Sequence, residues 1–489
     1  MTTIEQASRY EAVIGLEVHV ELATRTKMFC GCRIDFGGEP NERTCPVCLG
    51  QPGSLPVPNR AAVESAIRLG LALGCEIAPW SQFHRKNYFY PDMPKDYQIS
   101  QYDVPICLGG SLEITTAAGG QRVGITRVHM EEDTGKSLHV GTSGRIHGAD
   151  YSLVDYNRAG IPLLECVSEP ELRSAEEARA YLTELREIVL ALGISDAKLE
   201  EGSMRCDANV SVRPVGHTVF GTRAEVKNMN SLRSLGRAID YEIARQVELV
   251  SAGESVRQET RHWDEDAGRT SPLRSKETTE DYRYFPDPDL VPLAPDPDWV
   301  AALRRSLPEL PAVTRQRLAE VHGLSAEQVT TLAGAGLIPV FEQAVEAGAG
   351  PSEAANWLVN ETMGWASERG VEASGSPLTG GHLAELTALV GDGTLSTKLA
   401  REVLVAVLDG EGAPRQVAAA RGLEQISDAG ELAAIVESVI ADNADAAQRV
   451  RDGNEKAIGA LVGPVMKATR GRANPQLVNT LLRERLLQG

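Results

Sequence analysis

The chain has 489 residues, 42% apolar and 24% charged, and its 68 acidic against 49 basic side chains give a formal charge of −19. That length exceeds one hydrophobic core and predicts about two to four domains, while the negative balance excludes indiscriminate binding to nucleic acid or anionic membranes, so any RNA contact must be local. No cationic stretch leads into an apolar run near the N-terminus, no window reaches a spanning length, and eight cysteines in so long a chain do not make a disulfide framework, which together point to a cytoplasmic protein without a membrane partner.

The first element is a strand over Val13–Leu22, where alternation sets Glu17, His19 and Glu21 on one face and Leu16, Val18, Val20 and Leu22 on the other. Cys30-Gly-Cys32 follows, then Cys45-Pro-Val-Cys48, two close thiol pairs on tight turns. Such spacing suits a structural Zn²⁺ site, because four cysteines leave no open position for a reacting water; the plainer reading is four ordinary reduced thiols. A helix is expected over Ala61–Leu73. The stretch Arg85–Gln101 then places four of the chain's 18 Phe and Tyr residues beside Arg85, Lys86 and Lys95, a mixture that can wall a polar cavity, contact nucleic acid or form a structural loop.

Next comes Thr126–Asp133, where alternation groups Glu131 with Arg127 and His129 and aims Glu132 the other way, although a turn there leaves both as candidates. Gly135-Lys136-Ser137 resembles the end of a phosphate-binding loop, but Met130 stands where that motif needs glycine. A second helix is expected over Ser174–Leu192, and Ser203–Arg213 reads as a strand with Arg205, Asp207, Asn209, Ser211 and Arg213 on one wholly polar face. Ala224–Asn228 adds Glu225 and Lys227. An antiparallel sheet with one face on a core and the other crowded with carboxylates suits a cation and its phosphate ligand. Glu17, His19, Glu131, Glu132, Glu165, Asp207 and Glu225 are the candidate ligands. Their oxygen-rich set with one imidazole favours Mg²⁺ or Mn²⁺, and Arg158, Arg205, Arg213, Lys227 and Arg283 are candidate phosphate partners. For any single acidic residue the plainer reading is a solvated sheet face.

Seven prolines between Pro286 and Pro311 mark a junction, after which the pattern is helical, with a second break at Asp409–Pro414. The fold expected is therefore α+β: an antiparallel-sheet domain over 1–292, an all-helical domain over 293–408 and a small helical tail over 409–489. From Gly463 onward five basic residues face one acidic residue, which makes Lys467, Arg470 and Arg472 the candidate RNA patch; a solvated helix end is the alternative. No dinucleotide fingerprint, nucleophile elbow or Ser-rich amidase loop occurs.

Several long motifs stand in one order: Val13–Leu22, Arg85–Gln101, His129–Asp133, Val154–Glu165, Glu201–Ser211, Asp281–Pro286 and the Met466–Asn479 run. Together they closely resemble the GatB/GatE family of aspartyl/glutamyl-tRNA amidotransferase subunits over nearly the whole chain. The resemblance implies a catalytic cradle domain, a helical domain and a YqeY-like tRNA-binding tail. It implies an enzyme that phosphorylates, with ATP and Mg²⁺, the side-chain carboxylate of Glu-tRNA(Gln) or Asp-tRNA(Asn) and amidates it with ammonia. It also implies a heterotrimer in which GatA supplies ammonia from glutamine and GatC ties the large subunits together. Glu17, His19, Glu132, Glu165, Asp207 and Glu225 match the family's metal and ATP positions, with Glu131 adjacent, and Lys86 and Lys95 fall in a stretch resembling the wall of its ammonia passage. The four cysteines are absent from some members, residues 141–150 look longer than in some relatives, and the inserted domain of the archaeal members is missing, which favours the dual-specificity bacterial type. A metal-dependent phosphohydrolase and a non-catalytic, zinc-stabilised tRNA-binding scaffold are the alternatives.

Overall fold

The computed structural model describes residues 9–35, 37–141, 149–274, 282–423, 426, 429–469 and 472–487. The chain forms two compact units, Met1–Pro311 and Ala312–Gly489.

The first unit is built on a large sheet. Its strands in chain order are β1 (Tyr10–Glu21), β2 (Glu76–Ile77), β3 (His84–Asn87), β4 (Tyr97–Ser100), β5 (Cys107–Leu108), β6 (Ser111–Thr116), β7 (Gly119–Glu132), then, outside it, the separate hairpin β8 (Lys136–Gly141) and β9 (Ala149–Asp155), and again β10 (Pro162–Ser168), β11 (Met204–Pro214), β12 (Ala224–Met229), β13 (Thr260–Asp264), β14 (Arg269–Arg274) and β15 (Phe285–Pro286). The order across the sheet is β14-β13-β12-β11-β1-β10-β7-β4-β3-β15, antiparallel except for β12 beside β13. β1 and β11 are central, and alternation buries Leu16, Val18 and Val20 from one and Met204, Cys206, Ala208 and Val210 from the other.

Against that apolar face pack α1 (Arg60–Ala72), α2 (Ala175–Ala191), α3 (Leu232–Ser251) and α4 (Pro297–Arg305), with Ile67, Leu185, Ile239 and Leu303 in one continuous core. Each such side chain stabilises the fold by about 1.5–3 kcal/mol when fully buried. Asn59, Ser174 and Ser231 cap the first three helices through side-chain oxygens that accept backbone N–H bonds. Helix α4 lies past the first prolines of the junction, yet its Leu303 belongs to this core.

The second unit is helical, as expected from its composition, and contains two separate hydrophobic clusters, one running from Leu318 to Ala418 and one from Leu432 to Leu486. The molecule is thus α+β in its first part and all-helical in the rest. Among the described residues, no helix is long and apolar enough to cross a membrane.

Candidate active site

The sheet's second face is polar because register brings the hydrophilic positions of neighbouring strands together. His19 on β1 lies opposite Glu165 on β10 and Arg205 on β11; Glu165 lies opposite His129 on β7; Glu17 lies opposite Asp207; and Asn209 lies opposite Glu225 on β12. Directly paired residues share a face. Three donors converge at the middle: His19 Nε2 is 3.4 Å from Glu165 Oε2 and 3.7 Å from Glu131 Oε1. A 240 Å³ cavity opens over His19 and Glu131, lined also by Lys86, Tyr88, Asp133, Arg205 and Asp207.

The electrostatics of this cluster are those of a cation site. Burial would push His19 down, but its hydrogen bond to Glu165 and the charges of Glu165, Glu131 and Asp207 raise it to about 9. Burial and the neighbouring Glu165 charge push Glu131 up. Burial opposes ionisation of Glu165 too, yet His129, His19 and Lys86 hold it well below the usual carboxylate range. His129, buried and accepting a 3.2 Å hydrogen bond at Nδ1 from Arg127, is lowered to about 4 and stays neutral. Two adjacent carboxylates and an imidazole that holds a proton between them fit a hard divalent ion, which would take the proton's place.

Charged groups flank the cluster. Lys227 bridges Asp207 and Glu225, lying 3.5 Å from Glu225 Oε1, and Thr260 on β13 donates a 2.8 Å hydrogen bond to Glu225 Oε2. Asn209 donates to Glu17 Oε1 at 2.8 Å. Nearer the end of β7, Asp133 accepts from Arg205 Nη1 at 3.0 Å with Arg158 Nε 3.6 Å away, while burial and the Asp133 charge raise Glu21 to about 8. Asp133 stood in the acidic run His129–Asp133 without an assigned role, and Asn209 and Glu21 were visible as members of polar strand faces; Thr260 depends on pairing that no local pattern shows. Arg213 instead pairs with Glu11 at 2.7 Å.

Glu132 does not join the cluster. It follows Glu131 on β7 and so points to the other side of the sheet, where it forms a buried ion pair with Lys95 and accepts the Ile99 N–H at 2.9 Å. The pair lines a second cavity of 240 Å³, together with Lys27, Phe29, Cys30, Cys48 and Arg85. Gly50 is required at its edge: with φ +65° it sits where an added Cβ would meet Lys95 Cγ at 2.5 Å. Lys86 and Lys95 therefore line different cavities.

Cys30, Cys32, Cys45 and Cys48 converge, each offering a sulfur within 4.8 Å of the others. Cys45 and Cys48 Sγ are 3.9 Å apart, close to the roughly 3.8 Å that tetrahedral ligands at about 2.3 Å impose. The hydrogen bond from Cys30, with the Lys27 ammonium 3.8 Å from the sulfur among further causes, lowers Cys48 to about 5, whereas burial lifts Cys32 to about 11. The donor set fits a closed structural zinc site. Of the basic tail residues, Lys467 is exposed at the end of its helix and Arg472 is half-buried; Arg470 and most of 141–150 lie outside the described residues.

The model of the GatB/GatE catalytic domain matches residues 12–301, and that of the GatB Yqey domain matches residues 339–486. Among curated relatives, the aspartyl/glutamyl-tRNA(Asn/Gln) amidotransferase B subunit of Thermobifida fusca is 57% identical, the match covering 98% of this chain and 94% of the relative. The protein of the same name from Salinispora arenicola is 55% identical over 99% of this chain and 97% of its own. That from Frankia casuarinae is 55% identical over 98% and 96%. The chain belongs to the GatB/GatE family.

Proposed function

We propose that this member of the GatB/GatE family is the B subunit of a tRNA-dependent amidotransferase, a ligase of protein synthesis that converts Glu-tRNA(Gln) or Asp-tRNA(Asn) to Gln-tRNA(Gln) or Asn-tRNA(Asn). The observation that carries the reading is the His19–Glu131–Glu165 cluster, whose His19 and Glu131 line a cavity also walled by Lys86 and Arg205. In the first step an oxygen of the substrate's side-chain carboxylate attacks the γ-phosphorus of ATP, and the bond to the β,γ-bridging oxygen breaks to release ADP. In the second, ammonia attacks the acyl carbon, phosphate leaves with the bonding pair, and the nitrogen loses a proton.

His19, Glu131 and Glu165 would hold a Mg²⁺ ion, which when bound offsets phosphate charge and orients the γ-phosphoryl group. Lys227 and Arg205, with Arg158 near Asp133, supply cationic donors for ATP oxygens, and Asp207, Glu225 and Glu17 hold those donors and the strand face in position. Lys95 and Glu132, on the opposite face, gate the cavity assigned to ammonia, and Lys86 stands where ammonia enters the catalytic cavity. The four cysteines hold a structural zinc ion, and the 409–489 tail, carrying Lys467, Arg470 and Arg472, contacts tRNA. The partners are a glutaminase subunit, GatA, and the small subunit GatC. Divisions after Pro311 and after Ala418, later than the 292 and 408 expected from the sequence breaks, leave the catalytic, middle and tail parts each with its own core.

The test is an assay of the purified heterotrimer with labelled mischarged tRNA. Amide formation should require tRNA, ATP and glutamine together. ATP turnover indifferent to tRNA would mark a phosphohydrolase, and tRNA binding without amide formation would mark a scaffold; either would sink the reading.

A further inference from the structure

At the far side of the catalytic face stands a group of rings for which neither the cation cluster nor the phosphate partners account. β15 lies antiparallel to β3 with Phe285 opposite Arg85 and Pro286 opposite His84, so Tyr284 falls beside Lys86 and on its side of the sheet. Tyr102, two positions beyond Ser100, shares that side because Ser100 pairs with both His84 and Glu131. The two tyrosines, 182 positions apart in sequence, are stacked with ring centroids 4.4 Å apart and planes 12° from parallel. Tyr282 meets Tyr284 edge-on at 6.1 Å, and the Lys86 ammonium, which lines the catalytic cavity, sits 4.8 Å from the Tyr282 ring centre.

The backbone is held to present these rings. Arg283 between the two tyrosines has φ +45°, a left-handed conformation that a side chain of this size enters only under strain. Asn87 fixes the turn by donating from Nδ2 to the Tyr282 and Arg283 carbonyls at 2.9 and 2.8 Å. Tyr102 remains 43% exposed, enough to offer a stacking surface, and Lys86 connects the rings to the catalytic cavity.

We propose that the Tyr102–Tyr284 stack is the platform for the 3′-terminal adenine of the aminoacyl-tRNA, an inference that rests on the function proposed above and assigns its polynucleotide substrate a binding site. The chemistry of the substrate calls for such a site close by. Only the amino acid and one ribose separate the side-chain carboxylate from the terminal base, so a carboxylate placed at the cation cluster leaves the adenine close by, within reach of the neighbouring rings. Direction follows from phosphoryl transfer, in which attacking and leaving oxygens lie roughly in line across phosphorus. With the ATP phosphates held by Lys227 and Arg205 on the β11–β12 side, the attacking carboxylate must arrive from the β4–β3–β15 side. Three strand spacings of about 4.8 Å separate Glu131 on β7 from Tyr284, a span of roughly 14 Å along the sheet that curvature shortens. Aromatic faces bind single-stranded ends through stacking, and the neighbouring Lys86 supplies positive charge for the ribose–phosphate.

The experiment uses the complete heterotrimer carrying Tyr102→Ala, Tyr102→Phe or Tyr284→Ala, with mischarged tRNA whose terminal adenine is either natural or replaced by fluorescent 2-aminopurine. Wild type and Tyr102→Phe should quench the fluorophore on binding, whereas Tyr102→Ala should not. The alanine variants should raise KM for mischarged tRNA by roughly 5- to 150-fold, the range expected for one lost base stack, while KM for ATP changes less than twofold. A KM increase confined to ATP would assign the rings to the nucleotide's adenine and overturn the proposal. So would unchanged quenching and unchanged KM in both alanine variants of an enzyme that amidates normally. A wild-type heterotrimer that forms no amide at all would instead remove the function on which the inference rests.

Discussion

Binding of a divalent cation to the His19–Glu131–Glu165 cluster should expel a proton, and pH should set its affinity. Without the cation, burial works against a charged His19, but the hydrogen bond to Glu165 and the surrounding carboxylates keep it protonated up to about pH 9. A cation needs the neutral imidazole, so affinity should rise about tenfold per pH unit between 7 and 9 and flatten above. The rise from 6.5 to about 9, in a side chain only 18% exposed, corresponds to roughly 3 kcal/mol. Because the folded-state value is raised, this contribution to the cation-free protein is fully present below pH 6.5 and is lost as pH climbs through about 9. The melting temperature of cation-free protein should therefore decline across that window. Titration calorimetry with Mn²⁺ at pH 7.5, in two buffers of different ionisation enthalpy, should report release of about one proton, and His19→Gln should abolish it. Equal heats in the two buffers together with a flat affinity from pH 6.5 to 9 would refute the assignment of His19 as a ligand.

Metal analysis of chelator-free protein should find about one zinc per chain, and Cys45→Ser with Cys48→Ser should lose it along with thermal stability; zinc-free wild-type protein would remove this claim. Glu17→Ala or Asp207→Ala should abolish tRNA-dependent ATP turnover while glutamine hydrolysis by the partner subunit continues, and normal transamidation in both would break the assignment of the strand face. Reversing Lys467, Arg470 and Arg472 to Glu should weaken tRNA binding and flatten its dependence on log salt by about three, one per lost phosphate contact; a titration at several salt concentrations that matches wild type would clear the tail of this role.

The parts of the fold legible in sequence are those whose physics is local. Val13–Leu22 and Ser203–Arg213 betray themselves because a half-buried strand alternates, and both occupy the expected strands with the expected faces. The cysteine pairs are legible because tight turns bring close neighbours together, and they do converge. Helix α3 was not read from the sequence, although its apolar stripe is at least as pronounced as those of α1 and α2; its inward positions include Glu242 and Gln246, both wholly buried. Glu242 is accommodated through pairing with Arg245, one turn on along the same helix, and with Arg261 on β13, a contact that no window of sequence connects.

Register explains what remained hidden at the site. Glu131 and Glu132 are chemically equivalent neighbours, and a one-residue step along a strand exchanges the two faces of the sheet. Ser100 and Leu163 opposite Glu131 settle the matter, giving Glu131 to the cation cluster and Glu132 to Lys95. The consequence is functional separation across a single strand. If the two carboxylates serve phosphoryl transfer and ammonia passage respectively, Glu131→Gln should impair tRNA-dependent ATP turnover, whereas Glu132→Gln should leave turnover measurable and uncouple it from amide formation. Removing one partner of the buried Lys95–Glu132 pair costs about 3–5 kcal/mol, so the second variant needs a melting curve showing that it is folded at the assay temperature. Equal loss of ATP turnover in two folded variants would mean that the sheet does not divide the two steps between its faces.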